Sequence, residues 1–414
     1  MAENAQYSYH ALSFTEFIDL YKVQDKQAIP KARLFELTLP WLEATRAYML
    51  PKNSHVIVHC LFQDNAENAA NEPTLTLAWP LIHKKVVPQH SVQRAFLCGK
   101  NKTSPAQISS LSSFYASIAE PIFFTPPVKE NVKRLFSYIT QQNPWRNMQL
   151  GPFEPGVMTQ ALVEYFPYQR KLSTTGNVYQ TGISGYAEYY QQRPSQLRNT
   201  LKRRAKKLVK AHAYRTEIIT HIEHFSSAFE AYKTIYQQSW KGDEFSFKFI
   251  EQVCLAALAE NKLRLGLLFV DDEPVAAQLW FLQSFMPLSQ SFPQKYSKLS
   301  SGQAVNGNHV GSDKLESLQT TASIFKLAYL PQYQQYSVGS LLSLALSEHV
   351  IIQDKVSSIE FGMGSEPYKK DWLSEYRTRE IYQVFNSNGI YGKLAIIRKL
   401  ILSRLVNFFI KERK

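Results

Sequence analysis

The stretch Ile359–Trp372, IEFGMGSEPYKKDW, joins a strand-like entry to an unusual set of polar residues. The apolar, β-prone residues contain Glu360, and two glycines, Gly362 and Gly364, follow it closely. Glycine adopts backbone conformations that other residues avoid, so a sharp turn at the end of a strand is expected here. The acidic, tyrosine and lysine side chains around this turn predict a functional site.

A strand, a small-residue loop and a helix precede this turn. ASIFKLAYL (322–330) and SSIEF (357–361) have the composition of strands, and LLSLALSEHVII (341–352) that of a buried helix. Ser337, Gly339 and Ser340 come just before the helix, and the free N–H groups of a helix's first turn attract anions. The loop suits a pyrophosphate cradle, although small residues before a helix also serve as ordinary N-caps.

The whole chain predicts a folded protein of two domains with mixed secondary structure. It has 414 residues, 44% of them hydrophobic and 13% aromatic. In residues 1–185 the patterns predict the order α, ββ, α, β, which is an α/β or α+β domain. In residues 186–390 they predict helices before and after Pro194, two further helices and a strand pair over 262–282. A polar segment, 283–321, predicts a flexible insertion between neighbouring strands.

Six short motifs in this chain resemble, in order, those of the CelD/BcsL-like, FemAB-related branch of the GNAT acetyltransferase superfamily. They are Ser195–Lys207, Trp240, Pro274–Trp280, Lys326–Tyr329, Ser337–Leu342 and Glu360–Trp372. The resemblance implies tandem GNAT-like domains, each with a mixed, mostly antiparallel sheet flanked by helices. One departure is Leu330-Pro331, where the family usually has an acidic residue.

The resemblance implies direct acyl transfer from acetyl-CoA or another acyl-CoA, without a metal. The acceptor it implies is an amine, or a hydroxyl, on a sugar or other surface-polymer precursor. The N-terminal domain has no second Ser-x-Gly loop and is expected to be non-catalytic. The residues expected to bind the acyl-CoA are Ser337, Val338, Gly339, Ser340, Leu341 and Lys326.

The candidate catalytic residues surround the glycine turn. Glu360 is expected to act as the base, or else to accept hydrogen bonds from the turn as a structural carboxylate. Tyr368 and Tyr329 are candidate acids toward the departing thiolate, or aromatic packing residues. The residues expected to contact substrate are Trp240, Lys369, Trp372, Arg198 and Arg203, with core packing as the alternative for the tryptophans.

Two basic segments contribute to the net charge of +13 and predict anionic partners. Arg193–Lys210 carries eight positive residues and no acidic ones, which suits CoA phosphates, an anionic glycan or lipid carrier, or tRNA. Residues 391–414 predict a basic amphipathic helix that either contacts a membrane surface or docks on the protein. Other nucleic acids are not expected, because the basic run lacks interleaved aromatic residues.

The cysteines, the histidines and the chain's start favour a cytoplasmic enzyme without a metal. Three distant cysteines, Cys60, Cys98 and Cys254, form neither a disulfide framework nor a metal motif. His221 and His224 have suggestive spacing but no third ligand. No secretory signal or membrane-spanning run is visible, so the expected location is the cytoplasm, with contact to the inner membrane face through 391–414.

The sequence therefore predicts an acyl-CoA-dependent N-acyltransferase of GNAT type. One alternative is a Fem-like transferase that uses aminoacyl-tRNA on the same fold. The other is a non-catalytic module of a membrane-associated biosynthetic complex.

Overall fold

The computed structural model describes residues 6–27, 34–64, 73–85, 106–142, 144–285, 319–364 and 366–387, together with 393, 396 and 397. The first half of the chain contains β1 (Tyr7–Ser13), α1 (Phe14–Gln27), α2 (Leu39–Tyr48), β2 (Ser54–Gln63), β3 (Thr74–Lys85), β4 (Ala106–Ser110), β5 (Ile122–Phe123), α3 (Lys129–Gln142), β6 (Trp145–Phe153), α4 (Val157–Tyr165) and β7 (Gln169–Gln180). The second half contains α5 (Tyr186–Gln191), α6 (Ser195–Ala211), β8 (Tyr214–Ile219), α7 (Ile222–Gln238), α8 (Phe247–Ala259), β9 (Leu263–Val270), β10 (Glu273–Phe285), β11 (Gln319–Tyr329), α9 (Val338–Ile352), β12 (Ser358–Phe361), α10 (Pro367–Trp372) and β13 (Glu375–Phe385). Two 3₁₀ turns, Phe35–Leu37 and Pro331–Tyr336, precede α2 and α9.

The two halves repeat one order of elements. Leaving aside the short β5 and the helices α5 and α6, each half reads strand, two helices, three strands, helix, strand, helix, strand. In both halves the third helix connects a parallel pair, β4 with β6 and β11 with β12, and the remaining pairs are antiparallel. The predicted fold class, tandem halves with a mixed, mostly antiparallel sheet and flanking helices, is confirmed.

The last strand of each half crosses into the other half, which joins the two sheets into one. The strand order in the described part of the chain is β1-β2-β3-β4-β6-β13-β7-β12-β11-β10-β9-β8, with β5 beside β3. β13 pairs with β6 of the first half, and β7 pairs with β12 of the second. The predicted domain boundary near residue 185 follows β7, yet the sheet itself continues across it.

The strands β9 and β10 are covered on both faces, because successive residues along each strand are buried, and this explains their apolar sequences. β9 and β10 are antiparallel and almost wholly buried. Their turn has Asp271 and Asp272 at positive φ, 48° and 65°, the geometry that tight hairpins favour. α9 is apolar on most of its surface and is correspondingly buried on one side of this sheet.

Several predicted boundaries and elements needed correction. The order α, ββ, α, β for the first half omits β1, β4 and β7, and the strands β8 and β13 were also not predicted. The segment 283–321 begins and ends inside strands, because β10 continues to Phe285 and β11 begins at Gln319, with Gln283 opposite Thr321. Residues 286–318, and most of the predicted helix over 391–414, lie outside the described residues.

Candidate functional site

The strands β11 and β12 separate at the glycine turn. Their parallel register runs from Thr321 opposite Ser358 to Ile324 opposite Phe361. The last contact is a hydrogen bond of 3.0 Å from the Gly362 N–H to the Ile324 carbonyl. Beyond it β11 continues to Tyr329 without a strand partner on this side among the described residues.

The glycines give the chain its change of direction. Gly364 has φ of +107°, and its N–H donates to the carbonyl of Gly176 on β7 at 2.8 Å. A Cβ atom on Gly364 would lie 2.7 Å from the Glu366 carboxylate. The predicted sharp turn is therefore present, and a residue with a side chain at Gly364 would be strained.

A cavity of about 630 Å³ opens where the two strands separate, and both halves of the chain line it. The first half contributes Phe35, Glu36 and Trp41 beside α2, and Tyr115 and Ser117 from the segment after β4. The ionisable groups that line it are Glu36, Tyr115, Tyr236, Lys241, Lys326, Glu360, Glu366, Tyr368 and Lys369. The cavity thus combines an aromatic wall with carboxylates and amines.

Glu360 lies on the cavity wall and is buried. Its carboxylate accepts hydrogen bonds from Ser323 Oγ at 2.6 Å, Asn177 Nδ2 at 3.0 Å and Arg377 Nη2 at 2.5 Å. Gln283 extends this network, because its Nε2 donates to Ser323 Oγ at 2.7 Å. The structure thus places Glu360 on the cavity wall, where its carboxyl group pairs with a guanidinium, and its role as a base stays a prediction.

A second carboxylate, Glu36, was missed by sequence reasoning. It follows Phe35 in the 3₁₀ turn before α2, and its Oε1 accepts a hydrogen bond from Ser117 Oγ at 2.5 Å. Burial, together with repulsion from Glu360, raises the pKa of Glu36 above its usual range. No local pattern marks this residue, since LFELTLPW looks like the start of an ordinary amphipathic helix.

Lys326 forms a buried ion pair on the cavity wall. Its Nζ lies 2.8 Å from Glu244 Oε2 and 4.3 Å from the ring centroid of Tyr115. Burial lowers the pKa of Lys326, although the hydrogen bond to Glu244 opposes that shift. Its role in acyl-CoA binding stays a prediction, and its ammonium group is already paired with Glu244.

Lys369 stabilises the glycine turn through hydrogen bonds to its carbonyls. Its buried ammonium donates to the carbonyls of Gly362, Met363 and Gly364 at 3.2, 2.9 and 3.3 Å, and lies 2.7 Å from Glu366 Oε2. It lines the cavity, so its predicted contact with substrate stays a prediction. Its observed bonds favour a structural role at the turn.

Tyr368 and Tyr329, the two candidate acids, lie in different places. Tyr368 lines the cavity and is 46% exposed, and burial together with Glu366 raises its pKa to about 12, so its phenol keeps the proton. Tyr329 does not line the cavity; its ring packs against Gly339 and lies 4.3 Å, centroid to centroid, from Trp240.

The other predicted substrate residues lie outside the cavity lining. Trp240 is 53% exposed, and Trp372 is buried in the core of the second half. Arg198 donates to the Arg193 carbonyl at 3.1 Å, and Arg203 is exposed on α6. The cavity therefore brings together Glu360, Tyr368, Lys326 and Lys369 but not these four.

The first turn of α9 has the open donors that an anion site requires. The N–H groups of Val338, Gly339 and Ser340 donate no hydrogen bond to the described residues. Just before the helix, Gln335 accepts a hydrogen bond from Arg204 through its carbonyl, and another from Lys207 Nζ at 2.7 Å through its side chain. Two cations of α6 thus border the predicted cradle.

The described residues contain no group of three or more histidine, cysteine, aspartate or glutamate side chains arranged to hold a metal ion. Within the same residues, no helix has both the length and the apolar character that crossing a membrane requires.

Comparison with known families identifies the second half. Residues 195–312 and 305–370 match the family model described as acetyltransferase (GNAT) domain. We call these matched residues, 195–370, the GNAT domain. The matched range includes β11, α9, β12 and Glu360, so these parts of the site lie in the GNAT domain, whereas Glu36 and Tyr115 lie outside it. No curated protein matches the chain by sequence.

Solved structures show that the fold extends over both halves. The chain is similar to FemX, with a TM-score of 0.52 and 10% identity over 94% of this chain and 100% of FemX. Weaker similarity is found to a tandem GNAT protein from the clavulanic acid biosynthesis pathway, with a TM-score of 0.42, 8% identity, and coverage of 92% of this chain and 98% of that one. The similarity to FemX shows a shared fold for the first half and the GNAT domain together.

Proposed function

We propose that this protein is an acyl-CoA-dependent N-acyltransferase that transfers its acyl group directly to an amine, or less favourably to a hydroxyl. The separation of β11 and β12 carries this proposal, because it opens a GNAT domain onto a cavity with room for two reactants. An acyl-CoA thioester would supply the activated carbonyl. The protein would supply positioning, a route for the proton and stabilisation of the oxyanion.

The donor's amide arm has a matching surface on β11. Beyond Ile324 this strand has a free edge toward β12, which can hydrogen-bond an extended amide chain as an added strand would. The open N–H groups at the start of α9, with Arg204 and Lys207 nearby, would hold the phosphates. The residues present therefore fit an acyl-CoA.

The acceptor side of the cavity favours an amine. Glu36 and Glu360 line it, and Glu244 pairs with Lys326 at its wall. Carboxylates attract an ammonium group and can hold it before it loses a proton. The resemblance to CelD/BcsL-like proteins suggests an amino sugar or another precursor of a surface polymer as the acceptor.

Calorimetric titration with acetyl-CoA, using two matched variants, tests the donor assignment. Ser340→Glu places an anion in the first turn of α9, and Ser340→Gln has a similar size without the charge. We expect Glu to weaken binding by about tenfold or more and Gln to change it by less than about threefold. Gly339 is a poorer probe, because any Cβ atom there would meet the Tyr329 ring at 2.9 Å. A folded wild type that binds neither acetyl-CoA nor a longer acyl-CoA would refute the proposal.

The basic face of α6 supports a second candidate, a Fem-like transferase that uses aminoacyl-tRNA. Lys202, Arg203, Lys206 and Lys210 are all exposed on this helix, and they lie away from the cavity. This candidate predicts tRNA binding that weakens steeply with salt and is lost when these four residues become glutamine. Salt-independent or absent tRNA binding would exclude it.

Peripheral membrane contact through residues 391–414 is a further proposal, which rests on sequence alone. It predicts that deleting these residues removes binding to anionic vesicles while acetyl-CoA binding is kept.

A further inference from the structure

The two carboxylates that line the cavity differ in how firmly each is held. Glu360 accepts three hydrogen bonds, one of them from the guanidinium of Arg377, with which it forms an ion pair of 2.5 Å. To accept a proton from a substrate, Glu360 would have to give up the attraction of Arg377. It is well placed to fix charge at the site and poorly placed to take up a proton.

Glu36 is bound only through one of its oxygens. Oε1 accepts hydrogen bonds from Ser117 Oγ at 2.5 Å and from the Ser117 N–H at 3.4 Å. Oε2 accepts no hydrogen bond from any other described residue, and the side chain is half-buried on the cavity wall. A raised pKa, caused by burial and by Glu360, brings this carboxyl closer to the pH at which a base must exchange protons.

The backbone that carries Glu36 is anchored to the GNAT domain. The Phe35 N–H donates to Gln283 Oε1 on β10 at 2.9 Å. The Phe35 ring lies 4.8 Å from the ring of Phe281 and 5.7 Å from that of Trp41, measured between centroids. Such anchoring holds a reactive group in place before substrate binds.

We propose that Glu36, which lies outside the GNAT domain, is the general base for an amine acceptor, and that Glu360 is a positioning residue. This inference rests on the proposed acyltransferase function. The acceptor ammonium ion first gives one proton to Glu36, which passes it to water. The uncharged nitrogen then forms a bond to the thioester carbonyl carbon and gives a second proton to Glu36. The carbon–sulfur bond breaks, the thiolate leaves with its electron pair and takes a proton from water, and Glu36 releases the second proton to water.

This assignment makes the first half of the chain part of the active site. The GNAT domain would bind the donor, and the 3₁₀ turn before α2 would supply the base and one wall for the acceptor. The acceptor class that fits is a primary amine that enters as an ammonium ion, since a base is required to convert it into a nucleophile.

Release of CoA from acetyl-CoA in the presence of two small amines tests the role of Glu36. Ethanolamine is charged at neutral pH and must lose a proton before it attacks, whereas hydroxylamine is already uncharged. We expect Glu36→Gln to lower the rate with ethanolamine by roughly 10²–10³-fold and the rate with hydroxylamine by about tenfold or less. Glu36→Asp should restore part of the rate, and Glu43→Gln, an exposed change on α2, should leave both rates unchanged.

Calorimetry with acetyl-CoA separates this inference from the proposed function. Glu36→Gln is expected to bind acetyl-CoA as the wild type does. Equal losses with the two amines, or an undiminished rate with ethanolamine, would overturn the role of Glu36 while the donor assignment stands. A wild type that binds acetyl-CoA but releases no CoA with either amine would overturn it as well. A wild type that binds neither acetyl-CoA nor a longer acyl-CoA would refute the proposed function itself.

Discussion

At the scale of single residues, the three donors to Glu360 come from three strands that are far apart in sequence. Asn177 lies on β7, Ser323 on β11 and Arg377 on β13. The carboxylate therefore connects the exchanged strands of both halves at the edge of the cavity. Glu360 is buried and Arg377 is partly exposed, so Arg377 supplies the opposite charge that a carboxylate in this position requires.

Replacing Arg377 by methionine should lower the free energy of unfolding by about 3–5 kcal/mol, since Glu360 would keep a buried charge without its partner. The double variant Arg377→Met/Glu360→Gln should recover a large part of this loss. Denaturant unfolding of the wild type and the three variants, with both single changes included, measures the coupling. If the loss in the double variant equals the sum of the losses in the two single variants, Arg377 and Glu360 are not coupled.

The stability contribution of Glu36 should depend on pH in the opposite sense to that of an ordinary surface carboxylate. The pKa of Glu36 in the folded protein is raised above its ordinary value, so between the two pKa values the folded state holds a proton that the unfolded chain has released. Stability is then lost as pH rises through the folded-state pKa. Glu36→Gln should be at least as stable as the wild type near about pH 8, and the difference should shrink toward about pH 4. Melting temperatures of both proteins over this pH range make the comparison. A wild type that is more stable than Glu36→Gln near about pH 8 would contradict the prediction.

At the scale of elements, the glycine turn between β12 and α10 depends on a single ammonium group. Lys369 bridges three consecutive carbonyls that point inward from the turn, and Gly364 takes the positive φ that closes it. This glycine turn lies at the point where β12 separates from β11. A change at Lys369 should therefore affect both stability and the donor site.

Lys369→Met should destabilise the protein by about 2 kcal/mol and weaken acetyl-CoA binding, because three carbonyls would lose their donor. Lys370→Met removes the same charge from the neighbouring exposed position and should change stability by less than about 0.5 kcal/mol. Unfolding curves and calorimetric titration of the two variants make the comparison. If both variants change stability and binding equally, the cause is the loss of net charge and not the loss of hydrogen bonds at the turn.

At the scale of the whole molecule, the exchange of β7 and β13 makes the two halves dependent on each other. Without residues 186–414, β6 would lose its partner β13, and without residues 1–185, β12 would lose β7. Both strands would then expose open edges in the middle of a sheet.

Residues 1–185 and 186–414 expressed separately should therefore be aggregated or poorly folded, whereas the two pieces expressed together should form a complex of native helix and strand content. Size-exclusion chromatography and circular dichroism distinguish these outcomes. Two well-folded, monomeric pieces with no affinity for each other would contradict the structural role of the exchanged strands.

Local patterns in the sequence are enough to predict the elements that surround the donor site. The apolar strands β9, β10 and β11, the apolar helix α9 and the glycines after β12 each carry their own signal, because their composition and their conformational needs lie within a short stretch. The same holds for the two helices separated by Pro194. Four of the candidate residues line one cavity beside the glycine turn: Glu360, Tyr368, Lys326 and Lys369.

The tertiary structure alone decided which groups meet and in what state. The strands β7, β8 and β13 are polar sequences whose place in the sheet depends on partners far along the chain, so no local pattern marks them. Glu36 reaches the cavity only because the first half packs against the GNAT domain. The ammonium group of Lys369 donates its hydrogen bonds to carbonyls that come together only in the folded turn. Sequence specifies the chemistry available in each segment, whereas burial, pairing and pKa arise from long-range packing that brings distant segments together.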